Sequence, residues 1–256
     1  MTTELQTERV GTTQIMTMVG PATRNALSPQ VYAAGIETLN VAESNDDVRA
    51  VILTGAGNHF CGGGDLQRLT HNRQHDLPKV GEHIDAFHQW IEALRSFPKP
   101  VIAAVEGVAA GGGLSLVLAC DLVVAAENAR FVSAYSQVGL SPDGGASWHL
   151  ARALGRGPAL QLLWQSTPIS AQQMAHWGVV HQVAPAGTVL EQALAWAEQL
   201  AQAPAGVLNS IKELVNEAPA QTLRQQLDAE KQHFMVNLLR PDAGQAIEKF
   251  LNRSKN

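Results

Sequence analysis

Residues 105–121 read Val105-Glu106-Gly107-Val108-Ala109-Ala110-Gly111-Gly112-Gly113-Leu114-Ser115-Leu116-Val117-Leu118-Ala119-Cys120-Asp121. An apolar strand, residues 101–105, leads into a turn of small residues, and an apolar helix follows from about Leu114. Three successive glycines at such a junction let the backbone approach a ligand closely, and the first helical N–H groups there have no helical partners. Because those N–H groups and the helix dipole attract a negatively charged oxygen, the pattern predicts an oxyanion-binding turn. The helix is apolar all round, which places this turn in a buried core.

The composition is typical of a soluble globular protein. Of 256 residues, 45% are hydrophobic and 16% charged, which is enough to bury a large core. The formal net charge of −5 gives no reason to expect binding to nucleic acid or to an anionic membrane surface. No apolar run reaches the roughly 18 residues of a membrane span, and the polar start does not resemble a signal peptide. Cys61 and Cys120 lie in apolar contexts, so we expect reduced thiols, a cytoplasmic protein and no metal site.

The order of the sequence patterns predicts an α/β fold in two parts. Strand and helix patterns alternate up to about residue 187, and only helical patterns follow. We therefore expect a core of residues 1–187 and a helical region of residues 188–256.

Three local patterns within the core lead to specific expectations. The polar segment 70–80 is interpreted as a mobile surface segment. The next helical stripe includes Phe87, so the adjoining His88 is expected to face inward. Asp143 precedes a helical pattern that ends near Leu154, and it is a common residue type for an N-cap.

Two glycine-rich turns follow predicted strands, at residues 61–65 and 111–113. Two backbone N–H groups that converge on one carbonyl oxygen form an oxyanion hole, in which each donor is worth about 10²–10³ in rate. Tight turns in an α/β core explain the same glycines. Neither turn continues as a phosphate-binding loop, and neither fits a dinucleotide-binding fingerprint.

Four motifs together resemble the enoyl-CoA hydratase/isomerase (crotonase) superfamily, over nearly the whole chain and in the expected order. The motifs are Arg24-Asn25-Ala26-Leu27-Ser28, Phe60-Cys61-Gly62-Gly63-Gly64-Asp65-Leu66, Gly107-Val108-Ala109-Ala110-Gly111-Gly112-Gly113 and Gly139-Leu140-Ser141-Pro142-Asp143-Gly144-Gly145. The resemblance implies a spiral of ββα units with a C-terminal helical trimerisation region. It also implies a homotrimer or a dimer of trimers, an acyl-CoA thioester as substrate and no cofactor beyond the coenzyme A of that substrate.

The resemblance also implies the residues of the site. The N–H groups of Gly64 and Gly112 would form the oxyanion hole. The residues implied at the coenzyme A and substrate positions are Arg24, Ala26, Gly62, Asp65, Leu66, Lys249 and Phe250. For Arg24 an ordinary surface charge, and for Phe250 a helix-packing anchor, are equally good interpretations.

Two departures from the family pattern narrow the reaction. The hydratases carry a glutamate shortly after the glycine triplet and a second one further on, where this chain has Ser115 and Tyr135. Ordinary two-glutamate hydration is therefore not expected. Asp143 resembles instead the acid and base of isomerases that move double bonds or open ring epoxides on acyl-CoA substrates. Tyr135 is interpreted as a hydrogen-bond donor in the pocket or as part of its wall.

Three functional hypotheses stay open from the sequence. The first is an isomerase or lyase that uses Asp143. The second is an aryl-CoA dehalogenase-like enzyme or thioester hydrolase that uses Asp143 and His88, although Tyr135 replaces the tryptophan of those enzymes. The third is an acyl-CoA-binding protein without catalysis.

Overall fold

A computed structural model describes residues 2–204 and 206–253. The strands are β1 (Glu4–Val10), β2 (Thr13–Val19), β3 (Ala50–Gly55), β4 (His59–Cys61), β5 (Val101–Val105), β6 (Val108–Ala110), β7 (Leu122–Ala126), β8 (Arg130–Val132), β9 (Ile169–Ser170) and β10 (Gln182–Ala184). The helices are α1 (Pro29–Ser44), α2 (Leu66–His75), α3 (Leu77–Ser96), α4 (Gly112–Ala119), α5 (Ala146–Leu154), α6 (Arg156–Gln165), α7 (Ala171–His176), α8 (Val189–Ala201), α9 (Val207–Glu217), α10 (Leu223–Leu238) and α11 (Pro241–Arg253). The α/β expectation is confirmed.

The larger sheet has the strand order β1-β2-β3-β5-β7-β10. The hairpin of β1 and β2 is antiparallel, and every later pair in this sheet is parallel. Each residue of β5 is buried, as expected for a parallel strand that is covered on both faces. Helix α8 packs against β3, β5 and β7 and covers part of this sheet.

The smaller sheet, in the order β4-β6-β8-β9, carries the ends of the glycine-rich turns. Strands β3, β5 and β7 lie in the larger sheet, and the strand that follows each of them lies in the smaller one. A helix then completes each unit. The predicted spiral of ββα units is thereby confirmed.

Helix α4 lies in the core, as its apolar sequence predicts. All of its residues except Leu118 are buried. The helix begins at Gly112, two residues earlier than the pattern suggested. A side chain at Gly113 would place its Cβ only 2.5 Å from the carbonyl oxygen of Cys61, so only glycine allows this helix start to pack against β4.

Residues 70–80 are mostly exposed, as expected of a surface segment, and their mobility stays a prediction. They form the second half of α2 and the start of α3, which the polar pattern did not indicate. Two aspartates explain this helical structure, since each caps a helix. The Asp65 carboxylate accepts hydrogen bonds from the backbone N–H groups of Gln67 and Arg68, and the Asp76 carboxylate accepts one from Lys79. The polar composition therefore belongs to two capped helices.

The four helices predicted after residue 187 are present as α8 to α11. Their assignment to a separate oligomerisation region stays a prediction, as does the cytoplasmic location. Within the part of the chain that the structure describes, no helix is long and apolar enough to cross a membrane.

Candidate active site

The two glycine-rich turns lie directly against each other. Each turn is also bonded to a neighbouring segment. The Leu27 N–H donates a hydrogen bond to the Gly63 carbonyl oxygen over 2.8 Å, and the Gly111 N–H donates one to the Val132 carbonyl oxygen over 2.9 Å. A Cβ at Gly63, which has a φ of +94°, would lie 2.8 Å from the Ala110 carbonyl oxygen and 3.5 Å from the Gly112 nitrogen. Glycine is therefore required where the turns touch.

An oxyanion hole needs backbone N–H groups that are not already bonded within the protein, and the N–H groups of Gly64 and Gly112 meet this need. Within residues 2–204 and 206–253, neither of these two N–H groups donates a hydrogen bond. A Cβ at Gly64 would meet only open space. Both residues line one cavity of about 620 Å³. That their two N–H groups point at a common oxygen stays a prediction.

Most of the remaining wall of this cavity is apolar. Phe87 lies beside the turn, because a Cβ added at Gly112 would be 3.4 Å from its ring. The apolar lining consists of Leu27, Tyr32, Leu66, Leu69, Val80, Ile84, Phe87, Ala134, Val138, Leu140 and Pro142. Asp143, Tyr135 and His88 also line the cavity, so the structure brings all five predicted catalytic residues to one space.

Asp143 is not the N-cap of α5, and that expectation is wrong. The helix begins at Ala146, its N-cap is Gly145, and no side chain caps it. Gly144 and Gly145 have φ values of +59° and +78°, which turn the chain between Asp143 and the helix. The carboxylate is thus separated from the helix N-terminus and faces the cavity instead.

Tyr135 and Ser115 hold Asp143 from two sides. The Tyr135 hydroxyl donates a hydrogen bond to Oδ1 of the carboxylate, and the Ser115 hydroxyl donates to the backbone carbonyl oxygen of Asp143 over 2.9 Å. Burial raises the pKa of Tyr135, and the neighbouring Asp143 charge raises it further. The phenol therefore keeps its proton and acts as a hydrogen-bond donor.

His88 is exposed, so the expectation that it faces inward is wrong. Phe87, its neighbour, is buried and occupies the inward position of α3. A step of one residue turns a helix by about 100°, which moves His88 to the edge of the apolar stripe. His88 nevertheless lines the cavity.

Known proteins resemble this chain along most of its length. The family model described as enoyl-CoA hydratase/isomerase matches residues 8–256. The chain belongs to the enoyl-CoA hydratase/isomerase family. It is 36% identical to a 1,2-epoxyphenylacetyl-CoA isomerase of Escherichia coli over 237 residues, which cover 92% of this chain and 90% of the relative. It is 31% identical to a 4-chlorobenzoyl coenzyme A dehalogenase of an Arthrobacter species over 239 residues, which cover 92% and 85%.

The fold agrees with solved structures of the same family. A crystal structure of an enoyl-CoA hydratase from a Polaromonas species is similar to this structure with a TM-score of 0.96 and 51% sequence identity. The match covers 98% of this chain and 97% of the other. The expectation of an enzyme of the enoyl-CoA hydratase/isomerase family, with isomerase and dehalogenase relatives, is confirmed.

A second cavity, of about 630 Å³, adjoins the first. It is lined by five of the residues that the family resemblance assigns to coenzyme A and substrate, namely Arg24, Ala26, Gly62, Asp65 and Leu66. Gly62, Gly64, Asp65 and Leu66 line both cavities, so the two cavities meet at the first glycine-rich turn. Lys249 and Phe250, on α11, line neither cavity, and their role stays a prediction.

Four cavity residues that could contact an acyl group were missed by the sequence analysis. They are Tyr32 on α1, Arg68 and Asn72 on α2, and His83 on α3. Arg68 and Asn72 are four residues apart, which is the spacing of neighbours on one helix face. This spacing could have identified the two residues as neighbours, but the interpretation of segment 70–80 as mobile did not place Asn72 on a helix.

No group of three or more histidine, cysteine, aspartate or glutamate residues could hold a metal ion in the part of the chain that the structure describes. The Cys61 thiol is buried, and burial raises its pKa to about 12. This thiol is therefore protonated at neutral pH and is not a nucleophile there.

Proposed function

We propose that this family member isomerises an acyl-CoA thioester, by moving a double bond or opening a ring, with Asp143 as the group that takes up and returns the proton. The observation that carries the proposal is the Asp143 carboxylate in the same cavity as Gly64 and Gly112. The coenzyme A part would occupy the adjoining cavity lined by Arg24.

The chemistry follows from these positions. The Asp143 carboxylate removes a proton from a carbon that is acidified by the thioester, and the electron pair moves onto the carbonyl oxygen as an enolate. The N–H groups of Gly64 and Gly112 donate to that oxygen and stabilise its charge. Protonated Asp143 then returns the proton to a different carbon, so the double bond moves and no atom is gained or lost.

The side chains next to Asp143 favour isomerisation over two-glutamate hydration. Addition of water needs one group to activate the water and another to supply a proton. Ser115 and Tyr135 stand at the two glutamate positions, and the hydroxyls of both already bind Asp143. A single carboxylate that both takes and returns a proton fits this environment. The similarity to an isomerase acting on an acyl-CoA supports the same class of reaction.

The test is turnover of a panel of 2-enoyl, 3-enoyl, aryl and halo-aryl acyl-CoA thioesters by the wild type and by Asp143→Asn. We expect Asn to lower turnover by about 10²–10⁴-fold, because general acid–base catalysis is lost. The melting temperature and coenzyme A binding should hardly change, since Asp143 caps no helix and the Asn carbonyl still accepts from Tyr135. Full activity of Asp143→Asn would exclude the proposed role.

His88 supports a second candidate function. It lines the same cavity as Asp143, where a histidine could activate water to hydrolyse an ester formed on that carboxylate. In an aryl-CoA dehalogenase-like reaction, halide leaves when the Asp143 carboxylate attacks the ring and forms the ester, and water then hydrolyses that ester. His88→Gln should therefore limit halide release to a single turnover. If the enzyme is an isomerase, His88→Gln leaves double-bond movement within a few-fold of wild type and no halide appears.

A further inference from the structure

The main cavity has polar side chains that the proposed proton transfer does not use. Arg68, Asn72 and His83, called here the polar cluster, line the cavity together with its apolar wall. Phe87 lies beside the loop that carries Asp143, because a Cβ added at Gly144 would be 2.4 Å from its ring. His83 is one turn of α3 before Phe87, and Arg68 and Asn72 are one turn apart on α2. Helices α2 and α3 thus bring the polar cluster to the same cavity as the catalytic groups.

Asn72 is the observation that points to a ligand. Only 7% of its surface is exposed, yet within the described ranges 2–204 and 206–253 its side-chain amide has no hydrogen-bond partner. Its amide atoms are not among the fully enclosed polar atoms that lack a partner, so the amide is open to the cavity and can bond to what the cavity holds. Since Asn72 lines the cavity, a bound molecule can supply the missing partner.

Arg68 gives the polar cluster a positive charge. One of its N–H groups donates to the Leu27 carbonyl oxygen over 2.6 Å, and a guanidinium has five such donors. Among the described residues, no carboxylate lies within 4.0 Å of it as an ion-pair partner. Its charge reaches His83, whose pKa is lowered by burial and then by Arg68. His83 is therefore neutral at pH 7, and its ring can still donate one hydrogen bond.

We infer that the polar cluster binds a carboxylate carried by the acyl group, so that the substrate is the mono-CoA thioester of a dicarboxylic acid. The inference rests on the proposed function for the placement of the thioester. A carboxylate has acceptor sites for Arg68, Asn72 and His83 at once, and a charged guanidinium forms its strongest hydrogen bonds with such an anion. A methyl-ended acyl group would offer these three side chains no hydrogen-bond acceptor.

The experiment measures binding, which does not depend on the reaction. Saturated mono-CoA thioesters of dicarboxylic acids of increasing length are titrated calorimetrically beside methyl-ended and hydroxyl-ended thioesters of matched length. The wild type should bind the best carboxylate about 10–100-fold more tightly than its methyl-ended match, as expected for hydrogen bonds to a charged group. Arg68→Met and Asn72→Leu should each remove most of this preference. Arg73→Met, an exposed arginine of the same helix, should keep it.

Each other outcome overturns the inference. Equal binding of carboxylate and methyl ends by the wild type would do so while leaving the proposed function intact. Equal binding of carboxylate-ended and hydroxyl-ended thioesters would show that the site does not distinguish a negative charge from a neutral polar group. A loss of affinity in Arg68→Met that is the same for every thioester would place Arg68 at the coenzyme A part. No binding of any thioester would remove the proposed function as well. Arg68→Met also removes the hydrogen bond to Leu27 and could therefore fail to fold. Asn72→Leu provides an independent test, because the Asn72 side chain bonds to no other described residue.

Discussion

The contact between Tyr135 and Asp143 is the feature of single residues that most directly affects the proposed reaction. Tyr135→Phe keeps the ring but removes the hydroxyl that donates to the Asp143 carboxylate. We expect turnover to fall about 10–100-fold, because a hydrogen bond to a charged group is worth about 1.5–3 kcal/mol. The measurement is kcat and KM with the best thioester of the panel, and the loss should lie in kcat.

Ser115→Ala is the matched comparison for Tyr135→Phe. Its hydroxyl donates to the backbone carbonyl oxygen of Asp143, not to the carboxylate. A smaller effect on kcat than that of Tyr135→Phe is therefore expected. If Ser115→Ala is the more damaging change, the loop position and not the carboxylate contact controls the rate.

The half-buried His149 makes the stability of the protein depend on pH. Burial, Arg95 and Arg152 lower its pKa to about 4 from the ordinary 6.5. Between pH 6.5 and pH 4 the His149 ring is protonated in the unfolded chain but neutral in the folded chain. The free energy of unfolding therefore decreases as pH falls from 6.5 toward 4. The limiting slope from one such proton is about 1.4 kcal/mol per pH unit.

His149→Gln tests this by chemical denaturation between pH 4 and 7. The variant should lose part of the pH slope, and its stability relative to wild type should improve as the pH falls. His83 and His181, whose pKa values are also lowered by burial, contribute to the slope in both proteins and cancel in the difference. An unchanged slope in His149→Gln would show that this ring is protonated in the folded state.

Asp143 shows what the sequence could and could not predict about one residue. The family motif around it was enough to identify it as a candidate acid and base. Its local pattern instead suggested an N-cap, and the two positive φ angles at Gly144 and Gly145 decided against that. Two adjacent glycines permit such angles but do not require them, so the direction of the carboxylate needed the structure.

Two helical glycines should respond in opposite ways to alanine. A Cβ at Gly35 in α1 would come within 2.4 Å of the Trp90 ring on α3, while a Cβ at Gly81 in α3 would meet no atom within 4 Å. Gly35→Ala should destabilise the protein by about 1–3 kcal/mol through overpacking. Gly81→Ala should stabilise it by about 0.5–1 kcal/mol through helix propensity.

The measurement is denaturant unfolding of the two variants beside the wild type, with slopes checked for equality. Each variant is the control for the other, because both replace a helical glycine by the same residue. Destabilisation by Gly81→Ala would mean that the start of α3 is not helical in solution. A neutral Gly35→Ala would mean that α1 and α3 separate at little cost.

Helices were predictable from sequence wherever an apolar stripe accompanied them. The pair Ser28-Pro29 predicts the start of α1, with Ser28 as the cap and Pro29 as the first helical residue. The Ser28 hydroxyl accepts from the Val31 N–H. Helix α2 has only one buried residue, Asn72, and so it offered no apolar period to find. A helix whose inner face lines a cavity with polar side chains resembles a loop in composition, which explains why the polar pattern at segment 70–80 did not indicate a helix.

At the scale of the whole molecule, the order of the motifs was sufficient for the fold. The four motifs that carry the family resemblance occur in the expected order, and the resemblance implied the spiral of ββα units. In the structure each glycine-rich turn follows a strand of the smaller sheet. How α11 lies relative to the cavities could not be predicted in this way, because Lys249 and Phe250 are far along the chain from every other site residue. Their expected contact with coenzyme A depends on helix packing that sequence patterns do not specify.

The C-terminal helices expose more apolar surface than one chain can cover. No residue of α10 is buried, although that helix carries Leu223, Leu227, Phe234, Met235, Val236 and Leu238, all exposed. Exposed Ile211 and Val215 on α9 add to this surface. Large exposed apolar patches mark contacts with partners, and closed symmetric assemblies are the common solution. We therefore expect a homotrimer or a dimer of trimers built partly on α9 and α10.

Sedimentation or light scattering at micromolar concentration should give a mass near three or six times that of the 27.3 kDa chain. Phe234→Glu places a charge on a side chain that is 67% exposed in the single chain, so it should dissociate the assembly without unfolding the chain. Val41→Glu changes a side chain that is 64% exposed on α1 and should leave the mass unchanged. A monomeric wild type would contradict the assembly, and equal effects of the two variants would place its interface elsewhere than on α10.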